Sequence, residues 1–165
     1  NVTPLKTHGG SMRYTIGRKG KFKIKSIVSK ILNKEKKQKL NKLSSCLKFK
    51  KNCHESSKKF KKEIIVLKKR GLKICGYAAS AKSTTALNFC GIGNKYLDYV
   101  ADNTKDKIGK FTPGTHIPIV SIEFFRKNYP DILVLCSWNH KKEILMKEKK
   151  FVKNGGKWIS HVKKI

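Results

Sequence analysis

The residues best suited to chemistry lie in an eight-residue stretch, GYAASAKS, at positions 76–83. A short apolar run precedes it, which predicts a buried strand, and its small residues let the backbone approach a ligand closely. Ser80 or Ala81 would then lie near the start of a helix, whose unpaired N–H groups and positive dipole end favour an anion. The stretch therefore predicts a site for a phosphate-bearing or otherwise anionic small molecule.

The same stretch nearly fits the phosphate-binding pattern GxxxxGK[ST], because it ends in Lys82 and Ser83. Ala81 occupies the place of the second glycine, where a Cβ disfavours the required backbone, and no apolar strand is expected to end in an Asp suited to hold magnesium. An NTPase is therefore disfavoured. Lys82 either contacts a phosphate or carboxylate or is a solvated side chain at a helix start.

Two further loops carry side chains that suit a ligand. His116 lies between Pro113 and Pro118 in a rigid loop, where it either serves a site or is a hydrogen-bonded structural residue. Trp138 and Asn139 suit stacking on and hydrogen bonding to a planar ring, although a Trp at a strand end is as often a core residue. No complete catalytic arrangement can be assembled from these residues, and no metal site is expected.

The elements that position these residues alternate strand and helix after Gly71. Strands are predicted at residues 72–76, 97–101, 132–136 and 157–162, with helices near 82–91, 121–128 and 139–154. This pattern predicts an α/β fold, a Rossmann-like four-stranded parallel sheet with helices on both faces. Ligands bind such sheets beyond the carboxyl ends of the strands. A strand order of 2-1-3-4 would bring the loops at 77–83 and 137–140 together there, and the loop at 111–118 is expected at the same edge.

The chain before this sheet is expected to be a connector. Residues 11–18 alternate polar and apolar, which predicts a strand without a partner here, completing a sheet upstream or in a neighbouring domain. Residues 23–34 and 38–69 predict two Lys-rich helices. The predicted domains are thus residues 1–19, the terminal strand of an upstream domain; residues 20–70, the long Lys-rich helical segment; and residues 71–165, the Rossmann-like domain.

The formal net charge of +30 is unevenly distributed. Residues 72–140 carry +3, whereas the other 96 residues carry +27. All but four of the 40 basic residues are Lys, and a domain that reads nucleic-acid sequence is expected to use more Arg. A solvated Lys-rich surface is the favoured interpretation, and attraction to a polyanion is the alternative.

Compartment and redox state are indicated by two further patterns. The sequence has neither a long apolar run nor a signal-peptide pattern, so no membrane contact is expected and a cytoplasmic location is predicted. Its five cysteines show no CxxC pairing, and three of them fall in apolar strand or helix patterns. Buried free thiols are therefore predicted rather than disulfides or a zinc site.

Several of these stretches taken together resemble one family, the sugar C-methyltransferases that use S-adenosylmethionine and act on nucleotide-linked keto-sugars. The resemblance is carried by HGGSMR at 8–13, GYAASAKS at 76–83, NFCGI at 88–92, PGTHIP at 113–118 and WN at 138–139. Their order and spacing match the C-terminal domain of that family over essentially the whole chain.

The resemblance implies a three-part enzyme with a zinc-binding module, a central domain that holds S-adenosylmethionine, and this Rossmann-like domain closing over the nucleotide-sugar. The first two parts would lie upstream of residue 1 or in a partner chain, together with the groups that handle the substrate proton. Residues 1–19 would be the terminal strand of that upstream methyltransferase domain, and His8 would lie near its active site. The chain alone is therefore expected to bind no cofactor and to be inactive.

Under the same resemblance, the chain supplies substrate positioning only. The residues expected to line the cleft are Tyr77, Lys82, Ser83, His116 and Asn139, with Lys82 near the diphosphate. The alternative is a non-enzymatic module that binds a nucleotide-sugar or, through its Lys-rich helices, a polyanion such as nucleic acid.

Overall fold

The structure, a computed structural model, describes residues 1–162 apart from the side chain of His8. The chain divides into two compact units, Asn1–Cys53 and His54–Ile165. The last three residues of the predicted 71–165 domain, and any role of the His8 side chain, lie outside the described residues.

The first unit begins with a hairpin. Strands β1 (Val2–Leu5) and β2 (Ser11–Tyr14) pair antiparallel, with Val2 opposite Tyr14. The expectation that the strand near residues 11–18 has no partner here is therefore wrong. Its partner escapes detection because Pro4 interrupts a four-residue run, and proline is depleted from strands except at sheet edges.

Two helices follow the hairpin. Helix α1 (Ser26–Lys37) belongs to the first unit, and α2 (Leu43–Lys69) continues into the second, where it buries Phe60 and Ile64. Both Lys-rich helices were predicted, and each begins a few residues later than expected. Gly71, at φ +75°, adopts the left-handed conformation expected after a helix end.

The second unit is built on a sheet of five parallel strands. They are β3 (Ile74–Tyr77), β4 (Val100–Asp102), β5 (Ile119–Ser121), β6 (Ile132–Leu135) and β7 (Lys157–Ile159). Their order is β5-β4-β3-β6-β7. The α/β class and the Rossmann-like architecture are confirmed, and the predicted order holds for the four predicted strands. The fifth strand, β5, was missed because its three residues lie directly before a helix.

Helices cover both faces of this sheet. They are the later part of α2, with α3 (Ala81–Cys90), α4 (Ile122–Lys127), α5 (Lys141–Lys147) and α6 (Lys149–Lys153). The single helix predicted over 139–154 is thus two helices that meet at Glu148, whose backbone leaves the helical region at φ −107°, ψ +34°.

The core consists of two apolar layers separated by the sheet. Along β6, Ile132 and Val134 join Ile64 in one layer, whereas Leu133 and Leu135 join the other. This alternation is the two-residue period of a strand covered on both faces. Gly76 lets β3 and β4 approach, since a Cβ there would lie 2.9 Å from Val100 Cγ2.

Three of the five cysteines belong to this core. Cys75, Cys90 and Cys136 are buried free thiols, as predicted, whereas Cys46 is exposed and Cys53 half-buried. Burial raises the pKa of the Cys75 thiol to about 11 and that of Cys136 to about 12. Among residues 1–162, no helix is both long and apolar enough to cross a bilayer.

Candidate functional site

A cleft of about 300 Å³ lies at the carboxyl ends of β3, β4 and β6. The chain runs from β3 out to β4 and β5 and returns to β6 on the other side of β3, so the cleft lies where the strand order reverses. Its polar lining residues are Asp102, Asn103, Ser137, His140, Glu143 and Lys147. Its remaining wall is formed by Tyr77, Ala78, Ile122 and Ile144. This is the edge at which a ligand was predicted.

The loop after β3 is held in a strained conformation. Ala78 has φ +72°, a left-handed backbone that costs an L-residue about 1–2 kcal/mol. Three hydrogen bonds fix it: Ala78 N donates to Ala101 O at 2.8 Å, Ala79 N donates to Asp102 Oδ2 at 2.7 Å, and Lys107 Nζ donates to Ala79 O at 2.8 Å. The loop therefore presents one shape to the cleft.

Asp102 is the centre of this arrangement. Burial opposes its charge, but hydrogen bonds from Thr104 and Ala79 and the Lys107 ammonium at 3.7 Å outweigh that effect and lower the pKa of the carboxyl. Asp102 is thus an ionised anchor for two loops. The buried run Val100–Asp102 does end in an Asp, but Ala79 N, Thr104 N and the Lys107 ammonium occupy its oxygens.

The start of α3 joins the loops after β3 and β6. Ser80 caps the helix by accepting a hydrogen bond from Ser83 N at 3.3 Å, and Ser137 Oγ donates to Ser80 Oγ at 3.2 Å. The predicted helix start is confirmed. The buried Ser83 donates its hydroxyl to Ser80 O, so its hydrogen is used within the helix, whereas Lys82 is exposed on the first turn.

Tyr77 lines the cleft, and its hydroxyl belongs to a buried network. The hydroxyl donates to Glu148 Oε1 at 2.9 Å, and Arg126 donates to both oxygens of the same carboxylate. Burial, together with the hydrogen bond to Glu148, raises the pKa of Tyr77 far above its ordinary value. Glu148 is only 1% exposed, so Arg126 supplies the charge that a buried carboxylate needs.

The residues that α5 contributes to the cleft include two charged ones, Glu143 and Lys147. Glu143 accepts a hydrogen bond from Lys147 Nζ at 2.7 Å and lies 3.8 Å from His140 Nδ1. Beside them, Asn139 Oδ1 is buried and has no hydrogen-bond partner among the described residues. A buried acceptor without a partner costs free energy, which a donor on a ligand would relieve.

His116 lies near the amino-terminal ends of the strands, away from the cleft. Its loop precedes β5, and Pro118 O accepts a hydrogen bond from Val100 N at the start of β4. The loop is also bonded to Asn88 near the end of α3, which runs back from the carboxyl edge. The expectation that the 111–118 loop lies at the ligand edge is therefore wrong. Because β5 runs parallel to β4, the chain leaves the carboxyl end of β4 and returns to the amino-terminal ends of the strands before it enters β5, and residues 111–118 lie there. His116 itself is exposed, with φ +50°.

Tyr77 thus lines the cleft, and the start of α3 is linked to it by the hydrogen bond between Ser80 and the lining residue Ser137. Asn139 lies in the chain between Ser137 and His140, which both line the cleft, whereas His116 is separate from it. Substrate binding by Tyr77, Lys82, Ser83, His116 and Asn139 stays a prediction. Sequence reasoning missed Asp102 and Asn103, which directly follow a strand, and it gave His140 no special role. The signal for Asp102 was its position at the carboxyl end of an apolar run.

Comparison with known proteins gives two matches. Residues 6–162 match the family model of the C-methyltransferase C-terminal domain. The C-methyltransferase NovU of Streptomyces niveus is 39% identical over 89 residues, which make up 54% of this chain and 21% of that protein. The matched region therefore spans about a fifth of the relative's length.

Proposed function

Since the chain belongs to the C-methyltransferase C-terminal domain family, we propose that it is the substrate-positioning domain of an S-adenosylmethionine-dependent C-methyltransferase. The proposed substrate is a nucleotide-linked keto-sugar. The observation that carries the proposal is the cleft at the carboxyl edge, which is lined by several polar side chains and by the preformed loop after β3. The capped start of α3 is joined to this lining through the hydrogen bond from Ser137 to Ser80. The proposal includes a methyltransferase domain outside these 165 residues, upstream or in a partner chain, and a cytoplasmic location.

The proposed binding mode follows from the chemistry of the cleft. The diphosphate lies at the start of α3, where the unpaired N–H groups and the exposed Lys82 ammonium favour an anion. The sugar and base contact the apolar wall at Ala78 and Ile144, and Ser137 and the Asn139 amide supply hydrogen bonds. These contacts fix the orientation of the substrate rather than change its bonds.

The chemistry assigned to the rest of the enzyme is proton removal beside a keto group, stabilisation of the enolate, and in-line methyl transfer. S-adenosylmethionine supplies the methyl group when it is bound. In related folds a carboxylate near the end of the second strand holds a ribose hydroxyl. Here Asp102 occupies that position, but its oxygens accept the backbone N–H groups of Ala79 and Thr104. This use of Asp102 supports a donor site outside the chain.

Calorimetry with a panel of nucleotide-linked keto-sugars tests the proposal. We expect saturable binding by the 165-residue chain and no binding of S-adenosylmethionine. Lys82→Ala should weaken the nucleotide-sugar by about tenfold, because a charge-assisted hydrogen bond to phosphate is lost. Lys127→Ala is the matched control, since Lys127 is also an exposed helical lysine but lies at the end of α4 away from the cleft.

A second variant separates the cleft from general lysine attraction. Ser137→Ala removes a cleft hydroxyl without changing charge and should also weaken binding. Absence of nucleotide-sugar binding, or binding that neither Lys82→Ala nor Ser137→Ala weakens, would overturn the proposal.

A further inference from the structure

The first unit exposes many large apolar side chains, and none of its described side chains is buried. Phe22, Ile24, Leu43 and Phe49 are 69–79% exposed, and Leu32 is 58% exposed. Half of the large apolar side chains exposed in the described chain lie in this unit. Exposed apolar surface on this scale marks an interaction site.

The same unit carries an extreme positive charge. Residues 1–53 contain 16 basic residues and a single acid, Glu35, whereas the remaining residues contain 24 basic residues and nine acids. About half of the net charge of the chain thus lies in a third of its length. The partner that this unit fits must therefore be an anion.

Helix α1 combines the two properties. Its apolar residues, Ile27, Val28, Ile31 and Leu32, occupy one side of the helix, which we name the α1 apolar face. Lys30 and Lys37 lie on the polar side of the helix, and Lys34, seven residues after Ile27, flanks the α1 apolar face. Leu32 and the three lysines are exposed, whereas Ile27, Val28 and Ile31 are half-buried. A helix with an apolar face and a lysine-rich polar face is the pattern of helices that lie in the plane of a membrane interface.

We propose that the α1 apolar face and its flanking lysines bind the surface of an anionic phospholipid bilayer. The contact is peripheral, and it departs from the prediction that no membrane is involved. It is independent of the proposed nucleotide-sugar cleft. The lipid headgroups satisfy the lysines, and the acyl boundary accepts Leu32 and Phe22.

A bilayer fits these residues better than nucleic acid does. A duplex surface offers phosphates but no apolar phase in which to bury Phe22, Ile24 and Leu32. The unit also contains only two arginines, Arg13 and Arg18, although arginine is the residue that reads phosphate and guanine with two hydrogen bonds.

Co-sedimentation of the 165-residue chain with vesicles tests this inference. We expect binding to phosphatidylcholine vesicles that contain phosphatidylglycerol and none to phosphatidylcholine alone. Lys34→Gln and Lys37→Gln should each lower the partition coefficient about fivefold. Leu32→Ser and Phe22→Ser should each lower it by a similar factor, because apolar area no longer leaves water.

Matched controls come from the second unit. Lys127→Gln removes a charge, and Val152→Ser removes an apolar residue that is 52% exposed; neither should change the partition coefficient. Phe22 precedes α1, so Phe22→Ser keeps the test valid if Leu32→Ser alters the helix in far-UV circular dichroism.

Three outcomes would overturn the inference. The first is no binding to phosphatidylglycerol vesicles. The second is binding that both serine variants leave unchanged, since lysines alone would then account for it. The third is displacement of the chain from the vesicles by duplex DNA, with an affinity of the chain for DNA that Leu32→Ser does not change. That result would favour a nucleic-acid partner.

Discussion

Residues 54–162 bury apolar side chains in two layers on either face of a sheet, whereas residues 1–53 bury none of the side chains that the structure describes. Both regions contain amphipathic helices rich in lysine. They differ because the second region has a parallel sheet whose two faces receive helices, while the first has a two-stranded hairpin that provides no such surface. Burial therefore depends on a second layer and not on the apolar pattern of a helix alone.

The largest test of this contrast compares two phenylalanines. Phe125 is fully buried among the rings of Tyr77, Tyr129 and Phe151, whereas Phe49 is 69% exposed. Phe125→Ala should lower the free energy of unfolding by about 3–5 kcal/mol because it leaves a cavity, and Phe49→Ala should change it by less than about 0.5 kcal/mol. Urea denaturation followed by tryptophan fluorescence measures both. Equal losses would show that the first unit has a core of its own.

A second test concerns the buried carboxylate. Arg126→Met removes the charge partner of Glu148 and should destabilise the protein by about 2–3 kcal/mol, since a buried carboxylate then lacks compensation. Lys127→Met, at the next position on the same helix, is the control and should have little effect. Urea denaturation is again the measurement. A loss no greater than that of the control would mean that Tyr77 alone satisfies Glu148.

A third test uses pH to sharpen the contrast. The pKa of Asp102 is lowered in the folded protein, so its stabilisation is complete above the ordinary value of 3.8 and is lost as pH falls through the folded pKa. Asp102→Asn should cost about 1–2 kcal/mol at neutral pH. The difference from the parent chain should shrink as pH falls below 3.8.

Asp106→Asn is the control for that experiment, because Asp106 is exposed in a short turn nearby. Denaturation midpoints measured at neutral and acid pH provide the comparison. A difference between the parent and Asp102→Asn that stays constant with pH would contradict the assigned role.

The smallest expected effect lies in the first unit. The N-cap residue of α1 is Lys25, which makes no side-chain capping bond, whereas that of α3 is Ser80, which does. Lys25→Ser should stabilise α1 by about 0.5–1 kcal/mol and raise the helical signal in far-UV circular dichroism. Ser29→Ala, within the same helix, is the comparison variant. No gain over that variant would place the start of α1 elsewhere.

The sequence predicts the sheet well where the apolar runs are continuous. Ile74–Tyr77 and Ile132–Leu135 are buried on both faces, so their composition identifies them. Ile119–Ser121 and Val2–Leu5 are not predicted, because one is only three residues long and the other contains Pro4. Short strands are defined by the neighbour with which they pair, and local pattern does not identify that neighbour.

The candidate site is predicted only in part for the same reason. The start of α3 follows from local residue types, so Ser80 and Lys82 could be placed from the sequence. His116 could not, since its edge depends on whether the chain forms β5 afterwards. His140 joins the cleft because α5 follows β6 at that edge, which needs the strand order as well as the helix.

The buried thiols of Cys75, Cys90 and Cys136 can be used to measure unfolding of the chain, because they become reactive only when the sheet unfolds. In the folded chain an alkylating reagent reaches the exposed Cys46, whereas burial keeps the other three away from it and raises the pKa of Cys75 and Cys136. The mass added by the reagent therefore reports how many molecules have opened the sheet. Modification of Cys46 alone reports only that a molecule was present, so the two signals separate loss of the fold from loss of protein.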